Sequence, residues 1–182
     1  MIDYSLPTSV LLDGSEYAIN SDFRAVLDVL DALVNPELSA AEKALCVLGI
    51  FYVDPVPESL FDEALKACFD FIDLGGPEEK RAPSPKLMDW GQDFKYIVAP
   101  VSRVVGQDVR ALSYLHWWTF VAAYYEIGDC LFAQIVRIRE LKIKGKLKDK
   151  ADKEWYREHR ELVDLKVSYT QAEKDLFKEW GV

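Results

Sequence analysis

Cysteine and histidine side chains bind soft metals and act as nucleophiles or bases in many active sites, and this sequence places them far apart. The chain has three cysteines and two histidines, which are Cys46, Cys68, Cys130, His116 and His159. Neither C-x-x-C nor H-E-x-x-H occurs, and a metal site needs several such ligands at close spacing. The spacing therefore predicts neither a metal site nor a cofactor. Three separated thiols in apolar stretches indicate reduced cysteines in a cytosol.

Carboxylates are the other candidates for acid–base chemistry. Asp62, Glu63, Asp70 and Asp73 lie where the polar face of an amphipathic helix would be, so a solvated face is the favoured interpretation. No phosphate-binding glycine loop and no G-x-S-x-G elbow is present. His116 directly precedes two tryptophans, where a helix-capping or helix-face role is favoured over a ligand or acid–base role. The sequence predicts that the protein is not an enzyme.

The segment LHWWTFVAAYYEIGD, residues 115–129, concentrates aromatic side chains. A membrane-spanning helix needs about 20 apolar residues, and Glu126 and Asp129 cut this run short, so no membrane insertion is expected. A core helix is the favoured interpretation. The alternative is an aromatic surface that a partner covers, since Trp and Tyr are enriched at binding hot spots. The candidate partner-binding residues are Trp117, Trp118, Tyr124 and Tyr125.

A basic segment follows in RIRELKIKGKLKDKADK, residues 137–153, with eight Lys/Arg against three Asp/Glu in a chain of net charge −9. Three interpretations stay open: a solvated helix connection, a surface for an acidic partner or a second copy, and a nucleic-acid surface. The overall negative charge and the lack of an aromatic residue for base stacking disfavour nucleic acid. The candidate residues are Lys142, Lys144, Lys146 and Lys148.

The elements that position these segments are mostly helices. Asp13-Gly14 between apolar residues predicts a tight N-terminal hairpin. A helix follows up to residue 34, with Asn20 or Ser21 as its cap, and Ser39 with Glu42 forms a capping-box pattern for the next one. A third helix is expected from Pro57 to residue 74. The predicted fold class is mainly α, a helical bundle with a small N-terminal β-hairpin.

Pro and Gly residues within 75–86 mark a linker, placed at 79–86, which predicts an N-terminal lobe (1–78) and a C-terminal lobe (87–182), unless both pack as one domain. A helix is expected over 89–105, kinked or broken at Pro100. Another helix is predicted from about 109 into the 140s, with Gly128 as a close approach or a bend, and residues 142–150 interrupt it. A last helix is predicted from Asp152, its cap, to Leu165.

The order of three C-terminal segments resembles the bacteriophage gene-product-15 family of tailed phages and prophages of Gram-positive bacteria. The segments are LHWWTFVAAYYEIGD, FAQIVRIRELKIKGKLKDK and EWYREHRELVDL, and the N-terminal DYSLPTSVLLDGSEYAINSDFRAVLDVLDAL is similar as well. The resemblance covers about residues 1–165. It transfers no catalytic role to any single position.

The resemblance implies a role in tail morphogenesis, because members are typically encoded near the major tail and tape measure proteins. The expected function is that of a tail assembly chaperone that binds the tape measure protein in the cytoplasm of the bacterial host. The alternatives are a structural tail or tail-completion component and a nucleic-acid-binding protein that uses residues 137–153. The expected partners are the tape measure protein or other tail proteins, and a second copy of the chain.

Overall fold

The computed structural model describes residues 4–75 and 85–166, which form two compact units. Of these residues, unit 1 contains 4–75 and 114–119, and unit 2 contains 85–113 and 120–166. Eight α-helices and one two-stranded antiparallel sheet lie within the described ranges, so the prediction of a mainly α fold is confirmed. Most of the predicted linker and the tail from residue 167 fall outside the described residues, and the lobe boundaries stay a prediction.

Unit 1 begins with the predicted hairpin. Strand β1 (Ser9–Leu12) pairs with β2 (Ser15–Ala18) in antiparallel register, with Leu12 opposite Ser15. Asp13 and Gly14 both have positive φ, 45° and 74°, which is the conformation of a two-residue type I′ turn. The hairpin prediction is therefore confirmed.

Three helices complete most of unit 1: α1 (Phe23–Val34), α2 (Ala40–Phe51) and α3 (Phe61–Ile72). The capping box of Ser39 and Glu42 at the start of α2 forms as predicted. The third helix starts later than expected, because residues Glu58–Leu60 form a 3-10 turn first. The core of the unit consists of fully buried apolar side chains, among them Leu12, Phe23, Val26, Val29, Val47 and Phe51.

The predicted cap of α1 was wrong. Asp22 is the cap, and its Oδ1 accepts from the Arg24 amide at 3.0 Å while its Oδ2 accepts from the Leu115 amide at 2.9 Å. The two predicted caps are engaged elsewhere. The Ser21 hydroxyl bonds the Tyr114 hydroxyl at 2.7 Å, and the Asn20 side-chain amide donates to the carbonyl of residue 50 at 2.6 Å.

The remaining helices are α4 (Trp90–Val105), α5 (Trp117–Tyr125), α6 (Leu131–Ile143), α7 (Lys150–Glu158) and α8 (Arg160–Val163). The boundary between the units falls inside α5, after Thr119. Helix α4 runs through Pro100, so of the two predicted alternatives, a kink or a break, the break is wrong. Proline removes one helix hydrogen bond at a cost of about 3 kcal/mol. The buried neighbours Ile97, Val98 and Val101 keep both flanking turns helical.

A continuous helix from 109 into the 140s was also a wrong prediction. Gly128 takes a left-handed conformation, with φ of 60°, and marks a complete break rather than a close approach between helices. Cys130 is extended and caps α6, with its Sγ accepting from the Ala133 amide at 3.5 Å. Residues 115 and 116 are not helical because they pair with unit 1 backbone, including a bridge between Asp22 and His116.

The expected last helix is divided in two at His159. Asp149, rather than Asp152, caps α7, because its carboxylate accepts from the amides of Ala151 and Asp152 at 2.9 and 3.1 Å. The predicted interruption after α6 is confirmed. Gly145 there has a positive φ of 64°, which ends the helix in the left-handed region that glycine tolerates best.

Candidate interaction surfaces

The paired tryptophans close the C-terminal end of α3. The Trp117 indole N–H donates to the Ile72 carbonyl and the Trp118 indole N–H to the Phe71 carbonyl, both at 2.9 Å. A helix end leaves its last carbonyls without intrahelical partners, and these two indoles supply donors. Trp117 is buried, and Trp118 is half-buried and stacks on Phe71 with ring centroids 5.8 Å apart. The W-W pair therefore has an internal structural role in unit 1.

His116 has the capping role that its position indicates. Its Nδ1 accepts from the Trp118 amide at 3.1 Å, at the start of α5. Its Nε2 lies 2.9 Å from the Pro7 carbonyl, which can only accept, so Nε2 carries the proton. The ring is buried and lies edge-on to Phe71 and Trp118. His116 thus joins the N-terminal segment to α5 within unit 1.

The paired tyrosines belong to unit 2 and differ in exposure. Tyr124 is half-buried, contacts Trp90 with centroids 5.4 Å apart, and donates its hydroxyl to Met88 Sδ at 3.2 Å. Burial, followed by the nearby Tyr125, raises the pKa of Tyr124. Tyr125 is 71% exposed, so of the four aromatic candidates it offers the most surface to a partner.

A buried ion pair organises unit 2, and no sequence pattern predicted it. Arg139 on α6 and Asp93 on α4 are 5% and 1% exposed at their side chains. All five guanidinium donor positions are used: Nη1 and Nη2 bond the Asp93 carboxylate at 2.6 and 2.9 Å. The other three bonds reach the carbonyls of Val163, Leu87 and Leu162 at 2.5, 3.0 and 2.9 Å. The pair thus joins α4, α6 and α8.

The lysine candidates fall into two groups. Lys142 lies against Tyr156 and bonds its hydroxyl at 2.8 Å and Asp164 at 2.6 Å, while Lys144 bonds Glu140. Lys146 and Lys148 are exposed and make no ion pair with any residue that the structure describes, and the same holds for Lys150 and Lys153. These four residues, which we call the lysine tip, are the exposed cations of the basic segment that make no ion pair with a described residue.

An apolar groove in unit 1 was not predicted. It has a volume of about 260 Å³ and lies along α2 and the loop that leads to α3. Its lining residues are Leu45, Leu48, Gly49, Tyr52, Val53, Asp54, Pro55, Val56 and Phe61. Leu45 and Val53 are 58% and 57% exposed. The signal available in the sequence is that KALCVLGIFY is apolar around more of the helix than a single buried face requires.

The groove has a fixed floor. Leu48 and Tyr52 are buried, and the Tyr52 hydroxyl donates to the Ala64 carbonyl at 2.9 Å. Burial, with smaller contributions from Cys68 and Glu63, raises the pKa of Tyr52. At the rim, a side chain on Gly49 would meet nothing within 4 Å, so the helix surface there is open.

Within residues 4–75 and 85–166, no cluster of three or more Cys, His, Asp or Glu side chains could hold a metal ion. No helix in these two ranges has the length and apolar character needed to cross a bilayer.

The described part of the chain thus defines a mainly α-helical protein with an apolar groove in one unit and an exposed lysine tip in the other. The chain belongs to the family described as Bacteriophage Gp15 protein, whose family model matches residues 2–165. It is therefore a bacteriophage protein, and the resemblance seen in the sequence is confirmed. No curated protein matches the chain, and neither does any solved structure.

Proposed function

We propose that this phage protein acts in tail morphogenesis as an assembly chaperone that binds the tape measure protein. The observation that carries the proposal is the apolar groove of unit 1, with Leu45 and Val53 exposed on its rim. Membership of a bacteriophage protein family supports a role in phage assembly. The gene neighbourhood implied by the resemblance supports the choice of client.

The shape of the groove suits an apolar helical segment of a client. Leu45 and Gly49 lie one turn apart on α2, and Val53 follows just after the helix ends. Amphipathic helices bind in such grooves through apolar side chains spaced three or four residues apart. Gly49 lets the backbone of a bound helix approach α2, because no side chain stands between them.

The floor of the groove is pre-organised for binding. The bond from Tyr52 to the Ala64 carbonyl holds the ring between α2 and α3, and Phe61 lines the same wall. A binding surface that is already ordered loses less conformational entropy when a client docks. The groove therefore offers a mostly apolar surface with one wall tied by a hydrogen bond, which suits a holding chaperone for helical clients.

Co-expression with the tape measure protein of the same phage tests the proposal. The wild-type chain should keep the tape measure protein in the soluble fraction and co-purify with it. Leu45→Asp should abolish both effects, because it places a charge in an apolar contact. Leu11→Asp is the matched control, since Leu11 is 69% exposed on β1 and lies outside the groove.

A second variant separates the groove from general loss of folding. Gly49→Leu replaces glycine on α2 by a better helix former and points a side chain into the open groove, so it should weaken client binding while the chain stays folded. If Leu45→Asp and Gly49→Leu chains still solubilise the tape measure protein as well as wild type, the groove is not the client site. If wild type has no effect, the chaperone proposal fails.

Mass spectrometry of purified virions distinguishes the structural alternative. A chaperone leaves before the tail is complete, so its peptides should be absent or far below those of tail proteins. Abundant peptides from residues 4–166 in mature virions would favour a structural tail component.

A further inference from the structure

Charge is distributed very unevenly between the two units. The described residues of unit 1 carry three Lys/Arg against 13 Asp/Glu, a net charge of −10. Those of unit 2 carry 15 Lys/Arg against 12 Asp/Glu, a net charge of +3. Each chain therefore has one strongly acidic unit and one mildly basic unit, and the basic excess is concentrated in one place.

The excess positive charge of unit 2 is concentrated in the lysine tip, which consists of Lys146, Lys148, Lys150 and Lys153. The neighbouring cations are already compensated: Arg137 by Asp152, Lys142 by Asp164, and Lys144 by Glu140. The four tip residues are exposed and lie in the loop after α6 and the first turn of α7. The only acids within this stretch are Asp149 and Asp152, and both are used at the start of α7.

The exterior of unit 1 has the opposite character. Two of its three cations are paired inside the unit, Arg24 with Asp22 and Lys66 with Asp70. Exposed carboxylates lie on α1 and around the start of α3, among them Asp28, Asp31, Glu58 and Asp62. None of these four makes an ion pair within the part of the chain that the structure describes.

We propose that the lysine tip of one copy binds the acidic exterior of unit 1 in a second copy. The observation that points to a second copy is that every chain carries both complementary surfaces. Electrostatic complementarity of this kind steers association and fixes orientation. Because the two surfaces differ, the contact either occurs twice across a two-fold axis in a closed dimer or repeats head to tail in a ring or an open array. The inference does not depend on the proposed function.

A nucleic acid is the competing occupant of the lysine tip. The chain as a whole is negative, at −9, which opposes binding to a phosphate backbone. The residue between the first two tip lysines is Leu147, and no aromatic side chain lies within residues 144–153 to stack on a base. An acidic protein surface therefore fits the tip better than DNA or RNA.

Sedimentation velocity of the full chain tests the proposal directly. The wild type should self-associate at about 50 mM salt and dissociate at about 500 mM, since ions screen exposed charges more strongly as the Debye length shortens. K146E/K148E should raise the dissociation constant at least about tenfold, which corresponds to about 1.4 kcal/mol. The matched control is K95E/K166E, which makes the same change in net charge at exposed lysines of unit 2 outside the tip.

A charge swap then identifies the acceptor surface. D28K/D31K or E58K/D62K, or both, should weaken self-association when measured alone. Mixing the affected variant with K146E/K148E should restore association, because the reversed tip now meets a reversed surface. Far-ultraviolet circular dichroism of each variant should match that of the wild type, as a control that the variant chains are folded.

Three results would overturn the proposal. The first is a wild-type chain that stays monomeric at low salt at about 100 µM. The second is equal weakening by K95E/K166E, which would mean that only net charge matters. The third is self-association that neither acidic pair affects. Salt-dependent binding of duplex DNA by a monomeric wild type, lost in K146E/K148E, would assign the tip to nucleic acid instead.

Discussion

In both units, side chains donate hydrogen bonds to the last carbonyls of a helix, but the donors differ. In unit 1, the last carbonyls of α3 accept from the neutral indoles of Trp117 and Trp118. In unit 2, the carbonyls of Leu162 and Val163 on α8 accept from the charged guanidinium of Arg139, which also needs Asp93. An indole can be removed at the cost of one bond, whereas removing the guanidinium leaves a buried charge behind. Removing the donor side chain should therefore lower the free energy of unfolding more in unit 2 than in unit 1.

Arg139→Met gives the largest expected effect. Breaking a buried pair by removing one partner costs about 3–5 kcal/mol, because the Asp93 carboxylate stays buried without its counter-charge. Chemical denaturation of the full chain should show this loss in the free energy of unfolding. Arg139→Lys should also be destabilising, since an ammonium cannot make the five fixed bonds of the guanidinium.

A double variant sharpens that result. Asp93→Leu with Arg139→Met should recover much of the lost stability, because replacing both charged partners by apolar groups avoids the desolvation penalty. If Arg139→Met alone changes the free energy of unfolding by less than about 1 kcal/mol, the pair is not the organising contact of unit 2.

Trp117→Phe should have a smaller effect. The ring packing is largely kept, but the Ile72 carbonyl loses the indole donor of the buried Trp117, at a cost of about 1–3 kcal/mol. Trp118→Phe should cost less, because Trp118 is only half-buried and water can replace the bond to the Phe71 carbonyl. Thermal denaturation of the two variants compares them, and a larger loss for Trp118→Phe would contradict this ranking.

The sequence predicted local features well and side-chain networks poorly. The Asp13-Gly14 turn and the Ser39–Glu42 cap depend on residues close in sequence, so they could be read directly. The cap of α1 could not, because Asp22 is selected by its second bond to the amide of Leu115, which is 93 residues away. The ion pair of Asp93 and Arg139 spans 46 residues, and polar residues within amphipathic helices give no signal of which ones are buried.

The same reason explains the outcome for the candidate sites. Trp117 and Trp118 were attractive as partner-binding residues because of their type, but type does not show that both indole donors are used internally. The groove along α2 was missed because a strongly apolar helix looks like a core helix. Only tertiary structure shows which apolar side chains, such as Leu45 and Val53, have no neighbour to cover them.

Acid should destabilise the two units to different extents, and this is the smallest of the three predicted effects. Burial alone would raise the pKa of Asp164 and of Asp89. At Asp164, the bonds from Lys142, Arg160 and Tyr156 together outweigh burial and hold the pKa below its usual value. At Asp89, the bond and charge of Lys86 together with bonds from the backbone amides of Gln92 and Gly91 do the same. A carboxylate whose pKa is lowered by folding stabilises the folded state above the unfolded pKa of about 3.9. This stability is lost as the pH falls through the pKa of the folded state.

Unit 2 should therefore lose stability below about pH 4, while protonation relieves the mutual repulsion of carboxylates in unit 1. Two-dimensional NMR from pH 6 to pH 3 should follow the indole signals. As the pH falls, those of Trp90 and Trp155 should lose their chemical-shift dispersion before those of Trp117 and Trp118 do. Loss of the unit 1 signals first would contradict the comparison.

Hydrogen–deuterium exchange of the complex with the tape measure protein tests the central claim most directly. If the groove of unit 1 holds the client, amides in residues 44–61 should become protected relative to the free chain, while those in α4 and α6 of unit 2 stay unchanged. A stable complex without added protection in residues 44–61 would contradict the assignment of client binding to the groove.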